Sequence, residues 1–225
     1  MVLDPACGSG GFLVEALRAL WDLVDAQANE FEWPDSERDS EKQKIAIRQI
    51  RGIDKDEFLS KVAKAYMALL GDGRGGVFCE NSLVSMEEWG LKTRQEVSVG
   101  EFDVIMANPP FGKKLKITDR STLAQYDLGK RWKKVRGTSE YVMTEKVVDA
   151  QTPQILFIER CLDLLNDRGR LGIVLPESML CNPSHRYIMQ YILERATIKA
   201  VVSVHENLFQ PHTHAKTAVV LLEKG

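Results

Sequence analysis

Four consecutive residues, Asn108-Pro109-Pro110-Phe111, have the chemistry needed to hold a planar group that carries an NH₂. The two prolines fix φ and have no N–H donor, so the nearby carbonyl oxygens are rigidly placed and free to accept. The amide oxygen of Asn108 and the Pro109 carbonyl can accept both amino hydrogens, while Phe111 stacks on the ring. Accepting both hydrogens turns the nitrogen lone pair out of the ring plane and makes the nitrogen nucleophilic. The alternative is a rigid turn at the end of a strand.

A glycine-rich turn near the start of the chain predicts a ligand-binding loop. Gly8, Gly10 and Gly11 follow Asp4-Pro5-Ala6-Cys7 and precede an amphipathic helix that begins with Phe12. Glycine allows close backbone approach to a ligand, and the N-terminus of a helix favours an anionic group. The turn lacks both the third glycine of GxGxxG and the Lys-Ser/Thr of a P-loop. We therefore expect a ligand with a small carboxylate and a nucleoside rather than a phosphate, with a simple tight turn as the alternative.

Strands and helices alternate along the chain, which predicts an α/β sheet with helices on both faces and one antiparallel strand near an edge. Residues 29–44 are polar and contain a proline, so we expect a surface loop there. Residues 112–150 are basic and weakly periodic, which predicts a loop or insertion, in part disordered. Strands are predicted at residues 2–4, 45–53, 76–79, 102–107, 171–176, 198–204 and 217–222, and helices at residues 12–20, 57–70, 153–165 and 184–196.

Four polar clusters fall at the carboxyl ends of predicted strands, where ligands bind in open α/β sheets. They are the glycine-rich turn, Asp54, Asn81 and the segment that begins at Asn108. An acid at the end of the second strand typically accepts hydrogen bonds from ribose hydroxyls. Asp54 could instead be a surface residue that begins a helix. The agreement of four positions predicts one shared site.

The composition bounds the class of protein. The 225 residues carry a net charge of −2, with 44% hydrophobic and 28% charged residues, as in soluble globular domains. No apolar stretch is long enough to span a membrane, and the first residues do not resemble a secretory signal. The four cysteines form no CxxC pair, so we expect reduced thiols and a cytoplasmic protein. We assign Cys7 no nucleophilic role. His212 and His214 would lie on one face of a strand, but no carboxylate or cysteine partner is evident, so we expect no metal site.

One segment departs from the overall charge. Residues 113–136 hold nine basic residues against Asp119 and Asp127, a net of +7, and directly follow the Asn-Pro-Pro-Phe segment. This charge predicts contact with nucleic-acid phosphates, and a solvated loop is the alternative. The candidate nucleic-acid-binding residues are Lys113, Lys114, Lys130, Arg131, Lys133 and Lys134.

Taken together, these motifs resemble those of the N6-adenine DNA methyltransferases that use S-adenosylmethionine. Residues 4–12 resemble the cofactor motif of that family, and Asn108-Pro109-Pro110-Phe111 resembles its catalytic motif, in the gamma order. Residues 166–176, together with Leu208-Phe209 and residues 217–222, are similar to motifs of the modification subunit of type I restriction-modification systems. The resemblance covers nearly the whole chain except residues 25–45 and 112–150.

The resemblance implies a three-layer Rossmann-like fold with a mostly parallel seven-stranded sheet and one antiparallel strand. It implies that Asp54 binds the ribose of the cofactor and that Asn81, where the family often has Asp, lies beside its adenine. It implies that Asn108, Pro109, Pro110 and Phe111 hold an adenine flipped out of double-stranded DNA. The remaining cofactor-binding residues that it implies are Asp4, Pro5, Ala6, Gly8, Gly10, Phe12 and, in addition to its role at the base, Asn108.

The resemblance also implies partners: a specificity subunit and a restriction subunit. The family has a helical domain before the cofactor motif, so we expect residues 1–225 to be a catalytic core. Two other functions remain open at this point. One is a methyltransferase that acts on RNA or on a protein glutamine amide; the other is a non-catalytic module that binds nucleic acid or a partner protein.

Overall fold

The computed structural model describes residues 1–71, 76–112, 115–205 and 216–225. Within these residues, one sheet has seven strands, in the spatial order β3-β2-β1-β4-β7-β9-β8, and a separate hairpin is formed by β5 and β6. The strands are β1 (Val2–Asp4), β2 (Ile50–Asp54), β3 (Val77–Cys79), β4 (Phe102–Ala107), β5 (Lys130–Lys134), β6 (Tyr141–Val147), β7 (Leu165–Pro176), β8 (Ala196–Val204) and β9 (Thr217–Lys224).

The sheet is parallel from β3 to β7, and β9 runs antiparallel to both of its neighbours, β7 and β8. This arrangement confirms the predicted α/β fold with one antiparallel strand near an edge. The helices are α1 (Gly11–Glu30), α2 (Asp35–Gln49), α3 (Glu57–Leu69), α4 (Leu91–Glu96), α5 (Arg120–Ala124), α6 (Pro153–Leu164), α7 (Glu177–Cys181) and α8 (Arg186–Leu193).

Two hydrophobic clusters cover the two faces of the sheet. Neighbouring residues of β1 point to opposite faces, as strand geometry requires: Val2 packs in the cluster beneath α1, α2 and α3, and Leu3 packs in the larger cluster beneath α6 and α8. Burial on both faces explains why the parallel strands read as short apolar runs rather than as alternating sequences. The result is a three-layer molecule whose parallel strands end along one common edge.

The expectation of a surface loop at residues 29–44 is wrong. Helix α1 continues to Glu30, and α2 occupies residues 35–49, with Pro34 directly before its first turn, where a proline is well tolerated. On α2, only Ile45 and Ala46 are buried, so the helix has almost no apolar stripe for a sequence pattern to detect. Strand β2 accordingly begins at Ile50 rather than at residue 45.

The expectation of a loop in residues 112–150 is also wrong for the described residues from 115 on. This stretch forms α5 and the β5–β6 hairpin, and Ile117 forms a β-bridge with Gln151 at its base. The predicted candidates Lys113 and Lys114 lie outside the described residues, as do Leu208, Phe209, His212 and His214. In the described ranges, no helix combines the length and apolar character required to cross a membrane.

Candidate functional site

A cavity of about 350 Å³ lies at the carboxyl edge of the sheet, where β1, β2, β3 and β4 end. All four polar clusters predicted from the sequence reach it, so the structure brings them together around one cavity. The predicted residues that line the cavity are Pro5, Ala6, Gly8, Asp54, Asn81, Asn108 and Pro110. The predicted residues Asp4, Gly10, Phe12, Pro109 and Phe111 are not part of its lining.

The glycine-rich turn is fastened to the neighbouring strand β2. Gly8 adopts φ 53° and donates its N–H to Asp54 Oδ2 over 2.8 Å, and the N–H of Cys7 bonds the carbonyl of Ile53 over 3.0 Å. Gly10 adopts φ 91°, and a Cβ at this position would lie 3.2 Å from the Cβ of Ala63 on α3. Glycine is therefore required here both for backbone conformation and for close packing of the turn against α3.

Gly8 is a glycine at a point where the backbone faces the open space of the cavity. A Cβ built on Gly8 would meet no atom within 4 Å among the described residues, and Gly8 is part of the cavity wall. A ligand in the cavity can thus approach the backbone of this turn directly. Gly10 has a structural role instead, because it allows the turn to pack closely against α3.

Asp54 links the turn to the start of α3 while remaining half-exposed in the cavity wall. Its Oδ2 accepts the N–H of Gly8, and its Oδ1 accepts the N–H of Asp56 over 2.8 Å. Each carboxylate oxygen has a further lone pair, so Asp54 can still accept hydrogen bonds from a ligand's hydroxyl groups. Asp56 in turn begins α3, where its side chain accepts the N–H of Leu59.

Asp4 lies beneath the cavity rather than in its wall. Its side chain is buried, with 2% of the residue exposed, and its Oδ1 accepts the N–H of Ala6 over 2.9 Å. Burial, opposed in part by that hydrogen bond, raises the pKa of Asp4 to about 8. Burial also raises the pKa of the Cys7 thiol, with smaller effects in the same direction from the Asp4 and Asp54 carboxylates. Cys7 is therefore a protonated packing residue at neutral pH.

The segment 81–84, which follows β3, forms another wall of the cavity. Its residues Asn81, Ser82 and Leu83 line the cavity. Asn81 Oδ1 accepts the N–H of Leu83 over 3.1 Å, and Ser82 Oγ donates to the carbonyl of Pro5 over 2.5 Å. The latter bond joins this wall to the glycine-rich turn.

Asn108 supplies the feature of the cavity that most directly indicates a ligand. Its Oδ1 is buried, and no residue in the described ranges donates a hydrogen bond to it. A buried acceptor without a donor is unfavourable, so native proteins seldom contain one unless a water or a ligand completes it. The adjacent Pro109 is buried, Pro110 is exposed in the cavity wall, and Phe111 is half-buried. The carboxyl end of β4 thus presents an amide oxygen that can accept a hydrogen bond from a ligand.

Several lining residues were missed at the sequence level. Lys55 and Asp56 directly precede α3 and Leu59 lies in its first turn, so their proximity to Asp54 in sequence could have indicated them. Ile117, Pro153 and Phe157 come from the hairpin base and from α6, and no local pattern marks them. These residues reach the cavity only because α6 packs against the sheet, which the sequence does not show.

The basic candidates of the hairpin differ in their surroundings. Lys130 forms an ion pair with Asp127, with a 3.2 Å separation between Nζ and Oδ1, so its charge already has a partner. Arg131, Lys133 and Lys134 are exposed. Between them, the half-buried Trp132 packs on Tyr187 and Tyr191 of α8, which turns the side chains of its two sequence neighbours away from the domain.

Comparisons with known proteins agree with this architecture. The family model described as N-6 DNA methylase matches residues 1–225. The methylase subunit of the type I restriction enzyme EcoEI from Escherichia coli is 24% identical over 230 residues. The alignment covers 100% of this chain but 38% of that subunit, so the chain spans well under half the length of this relative.

Solved structures are similar over the whole chain at low sequence identity. The M protein of the type I restriction enzyme EcoKI superposes with a TM-score of 0.65 at 19% identity, covering 100% of this chain and 40% of that one. The type ISP restriction-modification enzyme LlaBIII, solved bound to DNA, gives a TM-score of 0.69 at 18% identity, covering 99% of this chain and 16% of that one. These similarities establish the fold.

Proposed function

The chain belongs to the N-6 DNA methylase family, and from that premise we propose that it is the catalytic core of a DNA adenine N6-methyltransferase of a restriction-modification system. The methyl donor is S-adenosylmethionine, and the acceptor is the amino group of an adenine flipped out of duplex DNA. The single observation that carries the proposal is Asn108 Oδ1: within the described residues it is buried without a donor, on a cavity bordered by four strand ends.

The cavity fits S-adenosylmethionine in size and in the chemistry of its walls. Its volume of about 350 Å³ lies in the range of small-molecule sites. We assign the methionine end to the turn formed by Pro5, Ala6 and Gly8, the ribose hydroxyls to Asp54, and the adenine to Asn81. Asp4 and Gly10 support this turn from outside the cavity, and we keep Phe12 as a candidate because it lies in the first turn of α1. When bound, this cofactor supplies an activated methyl group on a sulfonium.

The chain's own residues contribute positioning of the target nitrogen. Asn108 Oδ1 and the Pro109 carbonyl accept the two amino hydrogens, Pro110 fixes the backbone between them and Phe111, and Phe111 stacks on the base. With both hydrogens held, the nitrogen lone pair points out of the ring plane toward the methyl group. With the cofactor bound, the nitrogen would bond the methyl carbon while the carbon–sulfur bond breaks and its electron pair stays on sulfur, leaving a neutral thioether. The nitrogen would then give up one proton to water, so no covalent enzyme intermediate is required.

The DNA partner is assigned to the exposed face of the β5–β6 hairpin. Arg131, Lys133 and Lys134 are available to phosphates, whereas Lys130 is paired with Asp127. The base of the hairpin adjoins the cavity through Ile117, which bridges to Gln151. For the whole protein we propose cytoplasmic action together with a specificity subunit and a restriction subunit. The name of one relative, the methylase subunit of a type I restriction enzyme, supports an assembly of more than one subunit.

The proposal predicts a separation of binding from catalysis in Asn108→Ala. Removing the acceptor should lower methyl transfer to adenine-containing duplex by roughly 100- to 1000-fold, because a single preorganised hydrogen-bonding group can contribute that much. The dissociation constant for S-adenosylmethionine should stay within about threefold of the unchanged chain, since the contact forms with the base. Calorimetry measures cofactor binding, and transfer of a labelled methyl group measures catalysis.

Asn166→Ala is the matched control, because Asn166 lies near the start of β7 and bonds Asp103 away from the cavity. This variant should keep both activities. Equal loss of binding and transfer in Asn108→Ala would contradict the role of Asn108. Transfer by the unchanged chain to RNA or a protein glutamine but not DNA would reassign the substrate, and cofactor binding without any transfer would indicate a binding module.

A further inference from the structure

The segment 81–84, one wall of the cavity, is held by side chains from outside the site. The carbonyl of Asn81 accepts the indole N–H of Trp89 over 2.9 Å, and the carbonyl of Leu83 accepts the hydroxyl of Tyr126 over 2.9 Å. The carbonyl of Val84 accepts Nη2 of Arg160 over 2.9 Å. Three carbonyls of one short segment are thus fixed by three side chains, two of which, those of Tyr126 and Arg160, are distant in sequence.

Arg160 of α6 is the residue on which these contacts converge. It is buried, with 6% of the residue exposed. Besides Val84, its Nε donates to the Tyr126 hydroxyl over 2.9 Å. Its guanidinium lies 5.2 Å from the centre of the Tyr126 ring and 5.9 Å from that of Trp89. One buried cation therefore contacts the segment itself and both aromatic residues that bind it.

The hydrogen-bond direction between these residues is fixed by chemistry. A guanidinium can only donate, so the Tyr126 oxygen accepts from Arg160 and its own hydrogen is directed to Leu83. Burial raises the pKa of the Tyr126 phenol, against a smaller opposing effect of Arg160, so the hydroxyl keeps its proton. Removing Arg160 would leave the Val84 carbonyl and the Tyr126 oxygen each without this donor in a buried region.

We propose that Arg160 is a positioning residue that sets the shape of segment 81–84 and thereby controls affinity for the nucleoside end of S-adenosylmethionine, although it does not line the cavity. The inference rests on the proposed function, which places the cofactor's adenine at Asn81. A preorganised wall lowers the ordering needed when a ligand binds, so its loss weakens binding more than it slows the chemical step.

The test compares Arg160→Met with Arg195→Met in the purified chain. Arg195 is a matched control: it also stacks on a tyrosine, with its guanidinium 3.8 Å from the centre of the Tyr191 ring, and it bonds Asp127 rather than segment 81–84. Arg160→Met should raise the dissociation constant for S-adenosylmethionine, and its KM, by about tenfold, while kcat at saturating cofactor changes by less than about threefold. Arg195→Met should leave all three near their original values.

Hydrogen exchange without any ligand gives a second readout. The N–H groups of Leu83 and Val84 bond Asn81, so Arg160→Met should speed their exchange by about tenfold relative to Arg195→Met. If Arg160→Met does not fold, Tyr126→Phe keeps the ring, removes the hydroxyl between Arg160 and Leu83, and should show the same changes.

The outcomes separate the two proposals. Unchanged exchange at residues 81–84, or faster exchange with unchanged cofactor affinity, overturns the positioning role of Arg160. A fall in kcat equal to the rise in KM also overturns it, because that result would indicate a part in the chemical step or a general loss of structure. Failure of the unchanged chain to bind S-adenosylmethionine refutes the proposed function, while the exchange comparison still decides whether Arg160 holds the segment.

Discussion

Asp4 is a residue whose protonation state is determined by the fold. Its carboxyl group is buried at the end of β1, and desolvation is the main reason that its pKa rises from 3.8 to about 8. The N–H of Ala6 lowers the pKa, and the nearby Asp54 raises it. At neutral pH, Asp4 is mostly neutral, so the turn next to the cavity carries less negative charge than its sequence implies.

The raised pKa of Asp4 predicts how stability changes with pH. Between pH 4 and 8 the folded chain holds a proton that the unfolded chain has released, so this group's contribution to stability falls as pH rises. Asp4→Asn removes the titration and keeps an oxygen that can accept the Ala6 N–H. The decline in the free energy of unfolding should become shallower by up to about 1.4 kcal/mol per pH unit. Urea unfolding at pH values from 5 to 8 measures the slope.

Glu159→Gln is a control for Asp4→Asn, because Glu159 affects stability over a narrower range of pH. Burial raises the pKa of Glu159 to about 7, although the N–H groups of Asp127 and Leu128 oppose the rise. As for Asp4, the contribution of Glu159 to stability falls as pH rises. Glu159→Gln should therefore make the decline in the free energy of unfolding shallower between about pH 4.5 and 7, and leave the contribution of Asp4 up to pH 8. An unaltered slope in Asp4→Asn would show that Asp4 is ionised in the folded chain.

The sequence predicted the residues of the cavity that directly follow strands. Gly8, Asp54, Asn81 and Asn108 were identified because parallel strands bring their carboxyl ends to one edge, which depends on local pattern and topology alone. Phe157 was not identified, because its position in the cavity depends on the packing of α6. The burial of Asp4 was missed for a related reason, since a polar residue at a strand end gives no sign of which way it points.

At the scale of elements, the least predictable parts are stabilised by contacts distant in sequence. The β5–β6 hairpin has little apolar alternation of its own, but Trp132 stacks on the distant Tyr187 with a 6.0 Å separation of ring centres. The indole N–H of Trp132 also makes a local hydrogen bond to the Asp127 carbonyl. Helix α2 is similar, because Trp21 of α1 donates to the carbonyl of Lys42. These tertiary contacts override a weak local signal, which is why both segments were expected to be irregular.

Trp132→Ala should detach the hairpin from α8 while leaving the sheet folded. Removing the ring and its indole hydrogen bond should destabilise the chain by about 2 kcal/mol, less than for a fully buried tryptophan because Trp132 is half-buried. Limited proteolysis should then show new cleavage between residues 130 and 147.

Trp33→Ala is the matched control, since Trp33 is also half-buried but packs with the cluster beneath α1 and α2. It should lower stability without exposing the hairpin to protease. Protection of residues 130–147 in Trp132→Ala equal to that in the original chain would show that Trp132 is not required to hold the hairpin on α8.

At the scale of the whole molecule, charge is distributed unevenly. The net charge of −2 gives no general attraction for DNA, so any affinity must come from a local surface. On β5, Arg131 and Lys133 are exposed on either side of Trp132, which packs toward α8, so both face away from the domain. These charges therefore lie on a paired hairpin that packs on α8 rather than on an irregular loop, and the base of the hairpin reaches the cavity through Ile117.

This arrangement predicts the salt dependence of DNA binding. Reversing both charges, in Arg131→Glu with Lys133→Glu, should weaken binding to duplex DNA. It should also reduce the magnitude of the negative slope of log K against log salt by about 0.9 for each phosphate that the protein no longer neutralises, or about 2 in all. Lys44→Glu with Arg48→Glu changes the net charge equally at exposed positions of α2, and should leave the slope unchanged. Fluorescence anisotropy with a labelled duplex at several salt concentrations measures both. Equal slopes for the two double variants would mean that the hairpin face does not bind phosphates, because only a local interaction can distinguish two surfaces that carry the same change in charge.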